Sequence, residues 1–263
     1  MVSILTHRDR QALQHLSFCY MCGKEFRDGE ERPNRDHVPP KTCFNPRDRF
    51  PLILPSHEGC NSARSVSDKQ IGQLIGMKLG KVPSRRDRSL DIKHYGPRIS
   101  AVVNLDIPGE VWRWIQAFHA ALYQAPYRRD PLNARGALIT PFPHAQFQPG
   151  HLPILNPIKP QHLFFVDVIK ANRARKNLDV ICCNNEKLIY ECVWHQTLDK
   201  NWICIFAIDI YGWKDLGNSL VEPSRGCAGC YVLPSGEAPQ NATRAVRSSI
   251  VIPNIDPLDP FAP

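Results

Sequence analysis

No apolar run in this 263-residue chain approaches the ~20 residues that a bilayer-spanning helix needs. The opening residues, MVSILTHRDRQ, meet charge too early to form a signal peptide. Both absences point to a cytoplasmic protein. Internal repeats and low-complexity tracts are missing as well, which excludes solenoid and collagen-like architectures. Acidic residues are in deficit: 25 Asp and Glu stand against 33 Lys and Arg, a net charge of +8. Such a balance favours polyanionic partners. It does not reflect disorder, because 43% hydrophobic and 22% charged residues describe an ordinary globular chain, long enough for one large domain or two modest ones.

What the chain does have is ten cysteines. In a reducing compartment these read as metal ligands or buried thiols rather than disulfides. Three segments follow one another: FCYMCG, RDHVPPK and LPSHEGCN. A structural zinc takes four sulfur or nitrogen ligands at tetrahedral corners, and two ligands spaced by two residues reach one ion from a tight turn. Cys19 and Cys22 form one such pair, and His57 and Cys60 form the other, with Cys43 as the alternative to His57. The plainer reading is buried thiols beside a surface histidine, but two pairs at matching spacing are a specific signal. Cys182, Cys183, Cys192 and Cys204 fall in apolar segments, and the Cys227 and Cys230 pair lacks a second half, so all six read as structural.

Asp36 and His37 lie between the two pairs. Phosphodiester hydrolysis needs a base for water and a cation for the phosphate. Histidine can be neutral at working pH and accept the proton. Asp36, with the amide oxygen of Asn61, suits a hard divalent ion. The basic excess sits with these residues: positions 1–90 carry 16 Lys and Arg against 10 Asp and Glu.

Segment by segment, residues 7–16 suit an amphipathic helix, and FCYMCGKEF suits two short strands turning at Gly23. Ile71, Leu74, Ile75 and Leu79 predict a helix from about Cys60 to Leu79. KVPSRRDRSLD is the best candidate boundary, giving regions 1–90 and 91–263. Beyond it, PGEVWRWIQAFHAALYQAP predicts a helix, and the eight prolines from Pro126 to Pro160 predict irregular chain. HLFFVDVIKA, KLIYECVWHQ and NWICIFAIDIYGW predict three strands. The expected fold class is α+β, with an antiparallel sheet packed on a helix in the C-terminal domain. Trp112, Trp114, Tyr123 and Tyr127 read as core rather than as base-stacking residues, and His119, His144, His151, His162 and His195 show no ligand spacing.

Through CYMCG, RDHVPPK and HEGCNSARS, residues 15 to 80 resemble the HNH nuclease family. The resemblance implies an N-terminal zinc-stapled ββα-metal module. It implies His37 as general base, Asp36 and Asn61 as ligands of a catalytic Mg²⁺ or Mn²⁺, and Cys19, Cys22, His57 and Cys60 as a structural zinc site. Arg64 falls where the family often turns a basic residue to phosphate, and Arg35 and Lys41 flank the Asp-His pair as further candidates for nucleic-acid binding. The helix ligand is Asn61 rather than histidine. No asparagine precedes LILP to orient the base, and Asn45 is the nearest candidate. The implied activity is DNA hydrolysis, of the kind found in defence and mobile-element systems; for the C-terminal domain, architecture alone suggests targeting, self-association or partner docking. Two other classes compete: a zinc-stabilised nucleic-acid-binding or assembly module without chemistry, and a cysteine hydrolase or redox enzyme, for which no βαβ context surrounds either cysteine pair.

Overall fold

A computed structural model describes residues 1–27, 33–45, 47–48, 51–78, 84, 86–94, 100–103, 107–127, 137–140, 145–146, 154–155, 160–197, 200–210, 227–233 and 235–245. The first strand, β1 (Ser3–Ile4), leads into α1 (His7–Ala12), which continues as a turn of 3-10 helix over Leu13–His15. Thr6 and Asp9 cap α1 reciprocally, each side chain bonding the other's backbone N–H. The strands β2 (Asn34–His37) and β3 (Ile53–Ser56) then form an antiparallel pair, with His37 opposite Ile53 and Asp36 opposite Leu54. Two helices follow, α2 (Glu58–Ser62) and α3 (Ser65–Lys78). The single helix expected from Cys60 is therefore two. It begins earlier, at Glu58, and is interrupted at Ala63 and Arg64, where Arg64 N–H bonds the Asn61 carbonyl at 3.0 Å.

The second half contributes β4 (Asp91–His94), β5 (Ser100–Val103), α4 (Ile107–Tyr123), β6 (Ala137–Thr140), β7 (Ala145–Gln146), β8 (Ile154–Leu155) and α5 (Pro160–Ala174). Four strands complete it: β9 (Asp179–Cys183), β10 (Leu188–Gln196), β11 (Trp202–Ile210) and β12 (Cys227–Val232). The main sheet has six strands in the order β1-β9-β10-β11-β12-β6. It is mixed rather than antiparallel, because β1 runs parallel to β9 while the other neighbours are antiparallel.

Two sequence expectations are corrected here. HLFFVDVIKA lies in α5, not in a strand. Pro160 occupies the first helical position, where its fixed φ is favourable and its missing N–H does no harm. Phe165, Val166, Val168, Ile169 and Asn172 are buried while Asp167, Lys170 and Ala171 are exposed, which is helical spacing; aromatic and β-branched content masked that period. The proline-rich stretch is not wholly irregular, since its proline-free ALIT segment forms β6 and pairs with β12.

Both faces of the sheet are covered. Cys204, Phe206 and Ile208 point towards α4 and the N-terminal elements, whereas Ile203, Ile205 and Ala207 point towards α5. The first face belongs to a core that joins Leu13, Tyr20, Leu54 and Ile71 from before residue 90 with Trp114, Phe118, Tyr190 and Trp194 from after it. Polar ties reinforce the junction. Arg10 Nη1 donates to the Cys182 carbonyl at 2.8 Å, and Lys187 pairs with Asp48. The buried Asp179 accepts the backbone N–H of Val2 at 2.6 Å and of Thr243 at 2.8 Å, and the Tyr123 hydroxyl at 3.0 Å.

Candidate metal centre

The cysteine knuckle is built by backbone hydrogen bonds. Cys19 N–H bonds the Lys24 carbonyl at 2.9 Å and Gly23 N–H bonds the Cys19 carbonyl at 2.8 Å, folding the chain back over Cys22. Gly23 adopts φ of 70°, which a residue with a Cβ enters at a penalty. Instead of two full strands, an isolated bridge between Phe18 and Glu25 closes the turn. His57 precedes α2 directly, without a side-chain capping bond, and Cys60 lies one turn in, so the second pair is presented by a helix end.

These elements bring Cys19, Cys22, His57 and Cys60 together, with one ligand atom from each within 4.8 Å of the others. Cys22 Sγ is 3.4 Å from His57 Nδ1, and His57 N–H reaches Cys19 Sγ at 3.4 Å. Three sulfurs and one imidazole nitrogen in this arrangement can hold a zinc ion, whose ~2.3 Å bonds to sulfur need ligand atoms this close. Without a cation the same crowding is unfavourable: burial and the neighbouring Cys19 and Cys22 push the Cys60 thiol up to about 12. A bound dication reverses that balance, because thiolates are its preferred ligands. Cys43, the alternative ligand, is buried in the hydrophobic core on a 3-10 turn, and burial pushes its thiol up. Among the described residues no further group of three or more His, Cys, Asp and Glu converges in this way.

Asp36 and His37 end β2 and, as neighbours in a strand, face opposite ways. His37 is half-buried; burial and the charge of Lys41 hold its imidazole down at about 4, so the ring is neutral at ordinary pH. Lys41 is placed by the 3-10 turn over Lys41–Cys43, which α3 approaches closely. Thr42 Oγ1 bonds the Asp68 carbonyl at 2.9 Å, and a Cβ on Gly72 would collide with Thr42. Asn45 donates its backbone N–H to Asp48 Oδ2 at 2.8 Å. Asn61 is half-buried on α2, directly after Cys60. Arg35, Lys41 and Arg64 are exposed.

Asp36 is buried in a charged cluster absent from the sequence reading. The Tyr20 hydroxyl, from inside the cysteine knuckle, donates to Asp36 Oδ2. Arg113 of α4 places Nη1 3.7 Å from the same oxygen, pairs through Nη2 with Asp68 of α3, and lies 3.2 Å from Glu110 Oε2. Arg64 Nη1 reaches Glu110 Oε1 at 3.9 Å from the solvent side. Burial raises the Asp36, Asp68 and Glu110 carboxyls, and Arg113 offsets part of that rise for each. Arg113 itself stays charged, because Tyr20 and the three carboxylates outweigh the effect of its burial. Two signals in the sequence could have found this cluster: a tyrosine between Cys19 and Cys22, and Glu110 with Arg113 three residues apart on a largely apolar helix.

No helix among the described residues is long and apolar enough to cross a membrane. Compared with protein-family models, with curated proteins and with solved structures, the chain matches none.

Proposed function

We propose that this protein is a metal-dependent endonuclease that hydrolyses DNA phosphodiester bonds through an HNH-type site. One observation carries the reading: β2, β3 and α2 follow in the order strand, strand, helix, with Asp36 and His37 ending the first strand and Asn61 directly after a ligand of the Cys19, Cys22, His57 and Cys60 cluster. Zinc in that cluster would fix the start of α2, and with it Asn61, relative to the two strands.

Asp36 and Asn61 offer oxygen donors, which suit Mg²⁺ or Mn²⁺, and one Asp36 oxygen is already anchored by Tyr20 in the way that hydrogen-bonded carboxylate ligands usually are. Such an ion, when bound, would supply positive charge to the phosphate. His37 would take a proton from the attacking water on an imidazole nitrogen as the oxygen bonds to phosphorus and the bond to the departing sugar oxygen breaks; solvent would return a proton to that oxygen. His37 is neutral at ordinary pH and so can accept that proton, and the negative charge of a bound phosphate would raise its basicity from the low value that burial and Lys41 impose. Arg35, Lys41 and Arg64 lie exposed beside these residues and would hold phosphates of the substrate.

A second reading is supported by Asp36 itself, which is engaged by Tyr20 and Arg113. On that reading the chain is a zinc-stabilised nucleic-acid-binding or assembly module, and residues after 90 serve protein partners or self-association. Incubation of the purified protein with supercoiled, linear and single-stranded DNA and with RNA, with and without Mg²⁺ or Mn²⁺, separates the two. Divalent-dependent cutting supports the nuclease, and salt-sensitive binding without cutting supports the module.

A further inference from the structure

Arg113 belongs to α4, beyond the segment that resembles a nuclease, yet its guanidinium lies within 3.7 Å of Asp36. Tyr20 belongs to the cysteine knuckle, and its hydroxyl has Asp36 as its hydrogen-bond acceptor. Both groups are buried, and both address Oδ2. A hydroxyl bonded to one carboxylate oxygen, with a guanidinium charge 3.7 Å away, restrains the way the carboxylate points. Metal ligands are commonly oriented by partners of this kind.

The wider network keeps the guanidinium from neutralising Asp36 completely. Asp68 and Glu110 share it, and Arg113 is closer to each of them than to Asp36. Three carboxylates around one buried arginine leave negative charge in the cluster, and Arg64 at its rim only partly offsets it. A cation brought to Asp36 therefore meets an electrostatically favourable surrounding rather than a completed ion pair. Tyr20 N–H also bonds the Pro55 carbonyl at 3.3 Å, so the knuckle that presents the hydroxyl is tied to β3, the strand beside Asp36.

We propose that Tyr20 and Arg113 are positioning residues for Asp36, so that α4 completes the divalent-ion site begun by the knuckle, β2 and α2. The proposal rests on Asp36 being an ion ligand, as in the function argued above. It makes the region after residue 90 part of the site rather than an appendage to it.

The test is Mn²⁺ binding to the full-length, zinc-loaded protein, followed by the electron paramagnetic resonance signal of free Mn²⁺, with DNA cleavage measured in parallel. Wild type is expected to bind one Mn²⁺, and Asp36→Asn to lose it. Tyr20→Phe, which removes only the hydroxyl, and Arg113→Lys, which keeps charge but not the fork, are each expected to weaken Mn²⁺ binding by about 10- to 100-fold at unchanged zinc content. A purely structural pair would lower the melting temperature and leave Mn²⁺ affinity alone, and wild-type affinity in both folded variants overturns the proposal. Equal Mn²⁺ binding by wild type and Asp36→Asn overturns it at its premise. Loss of Mn²⁺ affinity in Tyr20→Phe, in a protein that binds Mn²⁺ through Asp36 but cuts nothing, supports the positioning role while the nuclease reading fails.

Discussion

The Tyr20 hydroxyl donates a hydrogen bond to Asp36 Oδ2 from the turn between Cys19 and Cys22. The knuckle therefore does two things at once: its sulfurs join the cluster that can hold a zinc ion, and Tyr20 holds the carboxylate next to the candidate base. Damage to the knuckle should reach Asp36 even where the strands survive.

Zinc content reads the cluster directly. Cys19→Ser, Cys60→Ser and His57→Ala should each lose about one equivalent by elemental analysis and unfold the N-terminal elements, since binding energy at such sites is largely folding energy. Cys43→Ser should keep its zinc, because Cys43 sits in the core and outside the cluster. Its buried hydroxyl should still lower stability by about 1–3 kcal/mol.

Asp36 is buried and Asn61 is only half-buried, so their variants should differ. Asp36→Ala leaves the buried Tyr20 hydroxyl without its acceptor while Arg113 keeps Asp68 and Glu110, so it should destabilise the fold by about 1–3 kcal/mol as well as stop divalent-dependent cutting. Asn61→Ala, at a half-buried position on α2, should stop cutting at a smaller cost in stability. Denaturant melts alongside cleavage assays check the contrast.

DNA binding should weaken as salt rises, through counterion release from the basic N-terminal region. Arg64→Ala should reduce both the affinity and the steepness of that dependence, measured by fluorescence anisotropy at several salt concentrations. An unchanged salt slope would remove Arg64 from the phosphate contacts.

Acid should destabilise the core through His119. Burial holds this imidazole down at about 3, below its ordinary 6.5, and Nδ1 lies 2.9 Å from the Tyr231 hydroxyl. The unfolded chain therefore binds a proton between these values that the folded chain does not, and stability present above pH 6.5 is lost as pH falls towards 3. Urea melts at pH 7 and pH 4 should show a smaller drop for His119→Phe than for wild type.

Local chemistry was legible in the sequence, and long-range placement was not. The spacing of Cys19, Cys22, His57 and Cys60 reflects a tight turn and a helix end, both local, and the structure brings all four together. The helix over α4 was equally plain, because Val111, Ile115, Phe118 and Leu122 keep one period. In α5 the same period was hidden by aromatic and β-branched residues, which carry β propensity but here pack a helix on a sheet. Strand β1 could not be foreseen, since two residues at the N-terminus gain their partner only at Val180 and Ile181. In the Arg113 cluster only the Glu110 and Arg113 pair is local; Asp36 and Asp68 reach it through tertiary packing, which no spacing rule reports.

Nicking of a supercoiled plasmid in Mg²⁺ or Mn²⁺, by zinc-loaded wild type beside His37→Ala, tests the central claim most directly. His37 carries no part of the metal cluster, so the variant should keep wild-type zinc content and melting temperature. Its cleavage rate should fall by about 10²- to 10⁴-fold, the usual loss on removing a general base. Equal nicking by the two proteins, or salt-sensitive binding with no nicking by wild type in either ion, would contradict the account.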